Sequence, residues 1–436
     1  MGTNFFTRLI AGWSVMISLS YFSFAADYVR QVIIINEGYY DYNSGQQLVP
    51  VTAAVYHPSD KTYTVFDTIE GQRFASDVIV DDDYIYVAAD KLLLKYDKYT
   101  LQKVAAQDIT GIRNIAAWND KLLVTRGEVG GLSSYFQVYN QADLSFDYEL
   151  DINNGPAYAT QNIEVIGDKA YFVINNGFDF PNYTGYIGVV DLITKTYLQE
   201  INLGPNGLNP DNLMREGDKL YTLNNKDYTG SSVSVFDITT GGVTTTDLPN
   251  VSTGCGTSTL FASNVWYQQF GSLKLHQFNP ESFSVVDSAD FGKNFYGLAV
   301  DPVNNYLYAT VTDYVSSGMA YIYDVSHMLL DSFVVGVSPG NIAFDIMKTT
   351  GIEGTHESHA VMLFPNPVTD ELKINLDDFN AETATVMDMA GRQITSVLLN
   401  GAKQSSIPVS QLSEGLFVVI FTGYDGSKQV MKFLKQ

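Results

Sequence analysis

The sequence predicts an all-β fold: a seven-bladed β-propeller closed by its own two ends, followed by a small Ig-like β-sandwich. Three observations carry this reading. Short alternating apolar runs broken by turn residues fill the chain from about Val32 to Asp345, with almost no 3.6-residue periodicity. A three-part motif recurs along that stretch. Its two ends hold complementary fragments of one repeat.

The clearest part of the motif is an apolar–aromatic strand closing on a polar residue: Tyr56-His57, Tyr96-Asp97, Tyr139-Asn140, Val190-Asp191, Phe236-Asp237, Phe278-Asn279 and Tyr323-Asp324. The steps between the final residues are 40, 43, 51, 46, 42 and 45, the length of one four-stranded blade. Ahead of it stands a turn leading into an aromatic-rich strand, as in Asp83-Tyr84-Ile85-Tyr86, Asp168-Lys169-Ala170-Tyr171 and Asp218-Lys219-Leu220-Tyr221. Asp and Asn suit a tight hairpin there, because both accept unusual backbone angles. The remaining part is a polar residue followed by an aliphatic one. It opens the innermost strand and aligns Asp77, Asn114, Asn162, Asn212, Ser258, Gly297 and Asn341.

The N-terminal segment begins directly at a second strand, Val32–Asn36, and lacks an innermost one. A surplus innermost strand, Asn341–Asp345, stands at the other end. Joining them completes a seventh blade and leaves no open sheet edge.

Composition narrows the function. The chain of 436 residues has 48 acidic against 25 basic residues, a net charge of −23. Nucleic-acid binding requires a basic footprint, so a nucleic-acid partner is excluded. An anionic membrane surface is disfavoured for the same reason. A single cysteine, Cys255, rules out an intramolecular disulfide framework or a Cys-based zinc cluster. Residues 1–25 carry one positive charge at Arg8, an apolar run Leu9–Leu19 and the small-residue stretch Ser23-Phe24-Ala25. That is a secretory signal peptide, and the mature chain is expected to start near Ala26.

Innermost strands surround the channel of a propeller, so Asp77, Asn114, Asn162, Asn212 and Asn341 are expected to ring its mouth. Loops between second and third strands open on the same face. They supply Tyr39, Tyr40, Phe178, Tyr183, Tyr228 and Tyr314. Amides donate and accept hydrogen bonds, and exposed aromatic faces stack on sugar rings or other flat ligands. Arg113 beside the ring and Arg126 in a neighbouring loop are placed to clamp a carboxylate or phosphate. The structural alternative is that each Asn merely caps the turn into its strand.

Catalytic signatures are missing from the sequence. His57, His276 and His327 fall in different blades, while His356 and His359 sit in a polar linker. The chain has no His-Glu-x-x-His, no Gly-x-Ser-x-Gly elbow and no phosphate loop. No cofactor and no metal are therefore expected. One enzymatic alternative stays open: Glu37, Asp77, Asn162 and Asn212 imitate the cation ligands of propeller lactonases, since hard cations take oxygen ligands.

After a linker at 346–360 the pattern resets into a second domain at 361–436. It holds Phe364-Pro365-Asn366-Pro367, then Asp388-Met389-Ala390-Gly391-Arg392, then Leu412-Ser413-Glu414-Gly415-Leu416-Phe417 and a basic end at Lys428–Lys435. In that order these motifs resemble the C-terminal sorting domain of type IX secretion cargo in Bacteroidetes. The resemblance implies translocation across the outer membrane by the type IX machinery, with retention at the cell surface or release. The propeller, residues 26–345, more loosely resembles the secreted Tyr-Val-Thr-Asn-repeat propellers, through Val173-Ile174-Asn175-Asn176 and Val233–Asp237. Related surface propellers capture cobalamin. That implies a ligand class, and an outer-membrane transporter as partner, but carries over no contact residue. The function expected is non-catalytic binding of a corrinoid, glycan or similar large polar molecule. A protein scaffold at the cell surface is the other alternative.

Overall fold

The computed structural model describes residues 27–81, 83–253, 257–348, 361–376, 381–388, 392–424 and 428–436. The expected signal peptide at 1–25, Cys255, and His356 and His359 of the expected linker lie outside the described residues. Asp27–Lys348 form one compact unit, and the described residues from 361 onward belong to another.

The first unit contains seven four-stranded antiparallel sheets among the described residues. In blade 1 the order from the centre outward is Pro339–Met347, Tyr28–Asn36, Val51–His57 and Thr62–Ile69. Chain end and chain start therefore share a sheet. Ile35 faces Asn341, Ile33 faces Ala343 and Tyr28 faces Met347. The closing strands are longer than the motif suggested, and the inner one reaches two residues past Asp345. Blades 2 to 7 follow in chain order, with innermost strands Asp77–Asp81, Ile112–Trp118, Thr160–Ile166, Pro210–Glu216, Ser258–Phe261 and Leu298–Asp301.

Seven apolar clusters hold the ring together, one between each pair of neighbouring blades. Ile33, Ile35 and Val55 of blade 1 meet Val78, Ile85 and Val87 of blade 2. Val32, Ile34 and Tyr56 on its other face meet Tyr308, Ala320 and Ile322 of blade 7. Second and third strands are thus covered on both faces, which is why they read as nearly continuous apolar runs. Outermost strands such as Lys103–Asp108 alternate between exposed and half-buried positions.

The recurring motif residues each have a physical reason. The Asp or Asn ending a third strand caps the next hairpin: Asp97 Oδ1 accepts from the Tyr99 and Thr100 amides, and Asp237 Oδ1 accepts from Thr240. The tyrosine before it can reach the preceding blade. Tyr96 donates to Asp67 at 2.7 Å and Tyr56 to Asp331 at 2.6 Å. The inner hairpin turns differ in one detail from expectation. In blades 3 to 5 the left-handed residue is Asn119, Gly167 or Gly217, not the Asp that follows it, whereas in blade 7 the expected Asn305 is itself left-handed. A two-residue turn with positive φ at its first position matches strand twist, and glycine adopts it without steric cost.

The C-terminal unit is a two-sheet sandwich. Val361–Phe364, Glu371–Leu376 and Gln404–Pro408 form one sheet. Gln393–Leu398, Ala381–Asp388, Gly415–Gly423 and Lys428–Lys435 form the other. Its own core includes Leu372, Ile374, Val386, Ile407, Phe421 and Phe433. Asn366 ties the Phe-Pro-Asn-Pro start to the basic last strand, donating to Lys432 O and accepting from the Leu434 amide.

Candidate functional site

All seven aligned innermost-strand positions line one cavity of about 720 Å³ at the channel mouth. The ring has a mechanical role that a simple turn cap would not provide. Asp77 accepts from the Val78 amide (2.9 Å) and, across the blade boundary, from the Ile115 amide (2.8 Å). Asn162 Oδ1 accepts from the Leu213 amide in the next blade (3.1 Å). Asn212 Nδ2 donates to the Ser258 carbonyl and hydroxyl, 2.8 and 2.9 Å away. Asn341 Nδ2 reaches the Ala75 carbonyl at 3.4 Å. The ring laces blades together with one end of each amide. The other end, such as Asn162 Nδ2 or Asn212 Oδ1, has no hydrogen bond to the described residues.

Cutting one lace tests this. Asn162→Ala should cost about 1 kcal/mol of propeller stability, the net worth of a partly buried hydrogen bond. An unchanged midpoint in urea unfolding would show that the lace holds nothing.

A second ring stands one residue before the first: Ser76, Arg113, Gln161, Asp211, Thr257, Tyr296 and Gly340 also line the cavity. Here the charged groups gather. The Arg113 guanidinium lies over the rings of Phe74 and Phe178, 5.3 Å from each centroid, and its Nε donates to Gln161 Oε1 at 3.2 Å. Burial pulls the Arg113 pKa down, opposed by the Asp211 and Glu37 carboxylates. Asp211 sits 3.4 Å from Asn225 Nδ2, and burial raises its pKa. Glu37, at the end of a blade 1 strand, accepts from the Tyr296 hydroxyl of blade 7 at 2.7 Å. Burial pushes Glu37 up to about 7, and the same cause pushes Asp77 up to about 6. Two glycines make room for this set. A Cβ on Gly127 would stand 2.5 Å from the Phe178 ring, and one on Gly340 would stand 2.2 Å from Glu37 Oε1.

Of the sequence-derived candidates, Asp77, Asn114, Asn162, Asn212, Asn341, Arg113, Phe178 and Tyr228 come together at the cavity. Arg126 does not. It is buried, and its guanidinium donates to the Thr110 and Ser134 carbonyls, so it braces a loop and clamps nothing. Tyr39 and Tyr40 are absent from the lining because Tyr39–Asp41 pairs with Gln46–Val49 as a hairpin. Tyr40 borders a smaller cavity beside Arg73, and it is Tyr42 that lines the main one. Tyr183 packs edge-on between Phe180 and Tyr228, and Tyr314 packs edge-on against Tyr296. Both stand outside the lining. Reading the repeat one residue earlier would have found Gln161, Asp211 and Tyr296. Phe74 carries no repeat signal.

Among the described residues, no three His, Cys, Asp or Glu side chains converge as a metal site. The oxygens of Asp77 and Asn162 are engaged by backbone amides.

Residues 362–436 match the family model described as the secretion system C-terminal sorting domain. The chain therefore carries a type IX sorting domain, which implies secretion to the cell surface or beyond. No curated protein matches the chain in sequence. Among solved structures, it is similar to one described as a hypothetical selenium-binding protein from Sulfolobus tokodaii. Identity is 10% and the TM-score 0.58, over 74% of this chain and 94% of that one. Hydrazine synthase of Kuenenia stuttgartiensis matches at 10% identity and 0.47, over 66% and 90%. Dihydro-heme d1 dehydrogenase NirN matches at 11% and 0.47, over 73% and 76%. The first likeness concerns the fold alone, and the two lower scores carry no argument.

Proposed function

We propose that the protein is exported through a cleaved leader at 1–25, delivered outward by its C-terminal domain, and there binds a large polar ligand in the propeller bowl without transforming it. The observation that carries this reading is the convergence of two adjacent rings of side chains on one cavity. About 720 Å³ falls within the range of small-molecule sites, roughly 300–1,000 Å³. The walls offer amides, hydroxyls, one guanidinium and the carboxyl groups of Glu37, Asp77 and Asp211, with aromatic rings from Tyr42, Phe74, Phe178, Tyr228 and Tyr296. A corrinoid or a glycan suits such a wall, and an outer-membrane transporter would be the natural recipient of the first.

A second reading has its own support. The rim is unusually apolar: Tyr42, Val129, Phe180 and Phe270 are each at least 70% exposed on loops of different blades. Exposed apolar groups in that arrangement also suit a protein partner.

Thermal unfolding of the mature protein with corrinoids, neutral and acidic glycans, and calcium separates the readings. Ligand bound only by the folded state raises Tm, by an amount equivalent to about 2.7 kcal/mol at a hundredfold excess over Kd. A rise with a corrinoid or glycan supports binding in the bowl. Calcium-dependent stabilisation abolished by Asn162→Ala and Asn212→Ala would replace it with the metal-dependent reading. No shift with any of them, together with a co-purifying protein, would replace it with the scaffold.

A further inference from the structure

We propose that the ligand is an acidic saccharide, its carboxylate bound by Arg113 and its neighbouring rings stacked on the aromatic side chains of blades 4 and 5. This rests on the binding reading above and narrows it.

Arg113 stands apart from the other arginines. Arg30, Arg73 and Arg392 each form an ion pair, and Arg126 is satisfied by backbone carbonyls. Arg215 is exposed to solvent. Arg113 has one hydrogen bond, through Nε, and no carboxylate within ion-pair distance among the described residues. In a chain with 48 acids and 25 bases, a cavity-lining guanidinium held by no carboxylate is the group best suited to pair with an anionic ligand. It packs over Phe74 and Phe178 and is tied through Nε alone, so its terminal N–H groups make no hydrogen bond to the described residues. The guanidinium fork matches a carboxylate better than a point charge would. Asp211, Glu37, Asp77 and Glu128 are the nearby acids that would oppose an anion. Glu128 is already paired with Arg73, and burial raises the pKa of Asp211, Glu37 and Asp77.

The preference for a saccharide comes from the aromatic rim beside Phe178, of which Tyr228 lines the cavity and Phe180 and Tyr183 stand outside it. Phe180, Tyr183 and Tyr228 form an edge-on chain with centroids 5.9 and 6.0 Å apart. Phe180 is 73% exposed and Tyr228 43%. Sugar rings present C–H faces to aromatic rings and hydroxyls to amides. Asn162 and Asn212 line the same cavity as Phe178 and Tyr228.

Titration calorimetry on the full-length protein tests this with oligogalacturonate, its fully methyl-esterified form and sialyllactose. Binding of an acidic sugar is expected, weakened about tenfold or more by esterification, as for loss of a charge-assisted bidentate contact. In Arg113→Gln the difference between acid and ester should vanish. Tyr228→Ala and Phe180→Ala should weaken both forms equally. Arg113→Lys keeps the charge without the fork and should recover only part of the preference, which separates recognition from misfolding. Equal affinity for acid and ester, or no response to any acidic saccharide, overturns the proposal. In either case a Tm rise with a corrinoid or neutral glycan leaves the binding reading standing.

Discussion

Replacing Asp345 with alanine is expected to destabilise the propeller by about 3–5 kcal/mol, the cost of leaving buried charges without their partner. Asp345 lies on the innermost strand contributed by the far end of the propeller and is fully buried. Arg30 reaches its Oδ2 at 2.6 Å and Gln31 at 3.1 Å, both from the N-terminal strand. Lys98 of blade 2, itself buried, approaches Oδ1 at 3.1 Å as an ion pair. One carboxylate therefore serves two cations from two blades at the place where chain start and chain end meet. Its loss strands Lys98 in a low-dielectric site. Thermal unfolding should show a fall on the order of 10 °C in Tm for the propeller. Asp345→Asn, which keeps an acceptor for Arg30 or Gln31, should lose less. A change under about 1 kcal/mol in the alanine variant would mean that strand pairing and apolar packing close the ring unaided.

The closure was legible from the sequence because it is a matter of counting strands, and the repeat made the count. The Asp345 cluster was not. Arg30, Lys98 and Asp345 are separated by up to 315 residues and have no local signature. The same contrast holds at the cavity. Ring positions such as Asn162 and Asn212 were found because each opens an innermost strand in register with the others. Arg126 ends the strand Lys121–Arg126 and does not reach the loop expected to carry it, and its side chain turns back to the Thr110 carbonyl. Chain position gives the neighbourhood, and only packing decides where a long side chain ends. Glu37 and Tyr296 come together from blades 1 and 7, so their pairing required the closed ring. Gly127 and Gly340 matter through the atoms a side chain would strike, which no pattern of polarity reveals.

Deleting Val361–Gln436 is expected to abolish surface delivery while leaving a folded propeller in the periplasm. The C-terminal unit has its own two-sheet core, in which Phe433 is fully buried and stacked on Phe417 with centroids 5.6 Å apart. The propeller has separate cores between its blades, so removal of the domain takes nothing from them. The recognition surface can be disturbed more finely. Phe433→Asp places a charge inside the sandwich and should unfold it, because an unpaired buried charge costs more than a small domain can bear. Asn366→Ala removes both bonds between the Phe-Pro-Asn-Pro start and the last strand, a milder loss of about 1–2 kcal/mol. If secretion reads the folded sandwich, display should fall to background in the deletion and in Phe433→Asp, and only partly in Asn366→Ala. Protease accessibility on intact cells, with fractionation of periplasm and medium, gives the measurement. Normal display of the deletion variant would overturn the sorting role. Full display of Phe433→Asp would instead show that the machinery reads a linear motif, and the Phe-Pro-Asn-Pro start and the basic end would then be the segments to exchange.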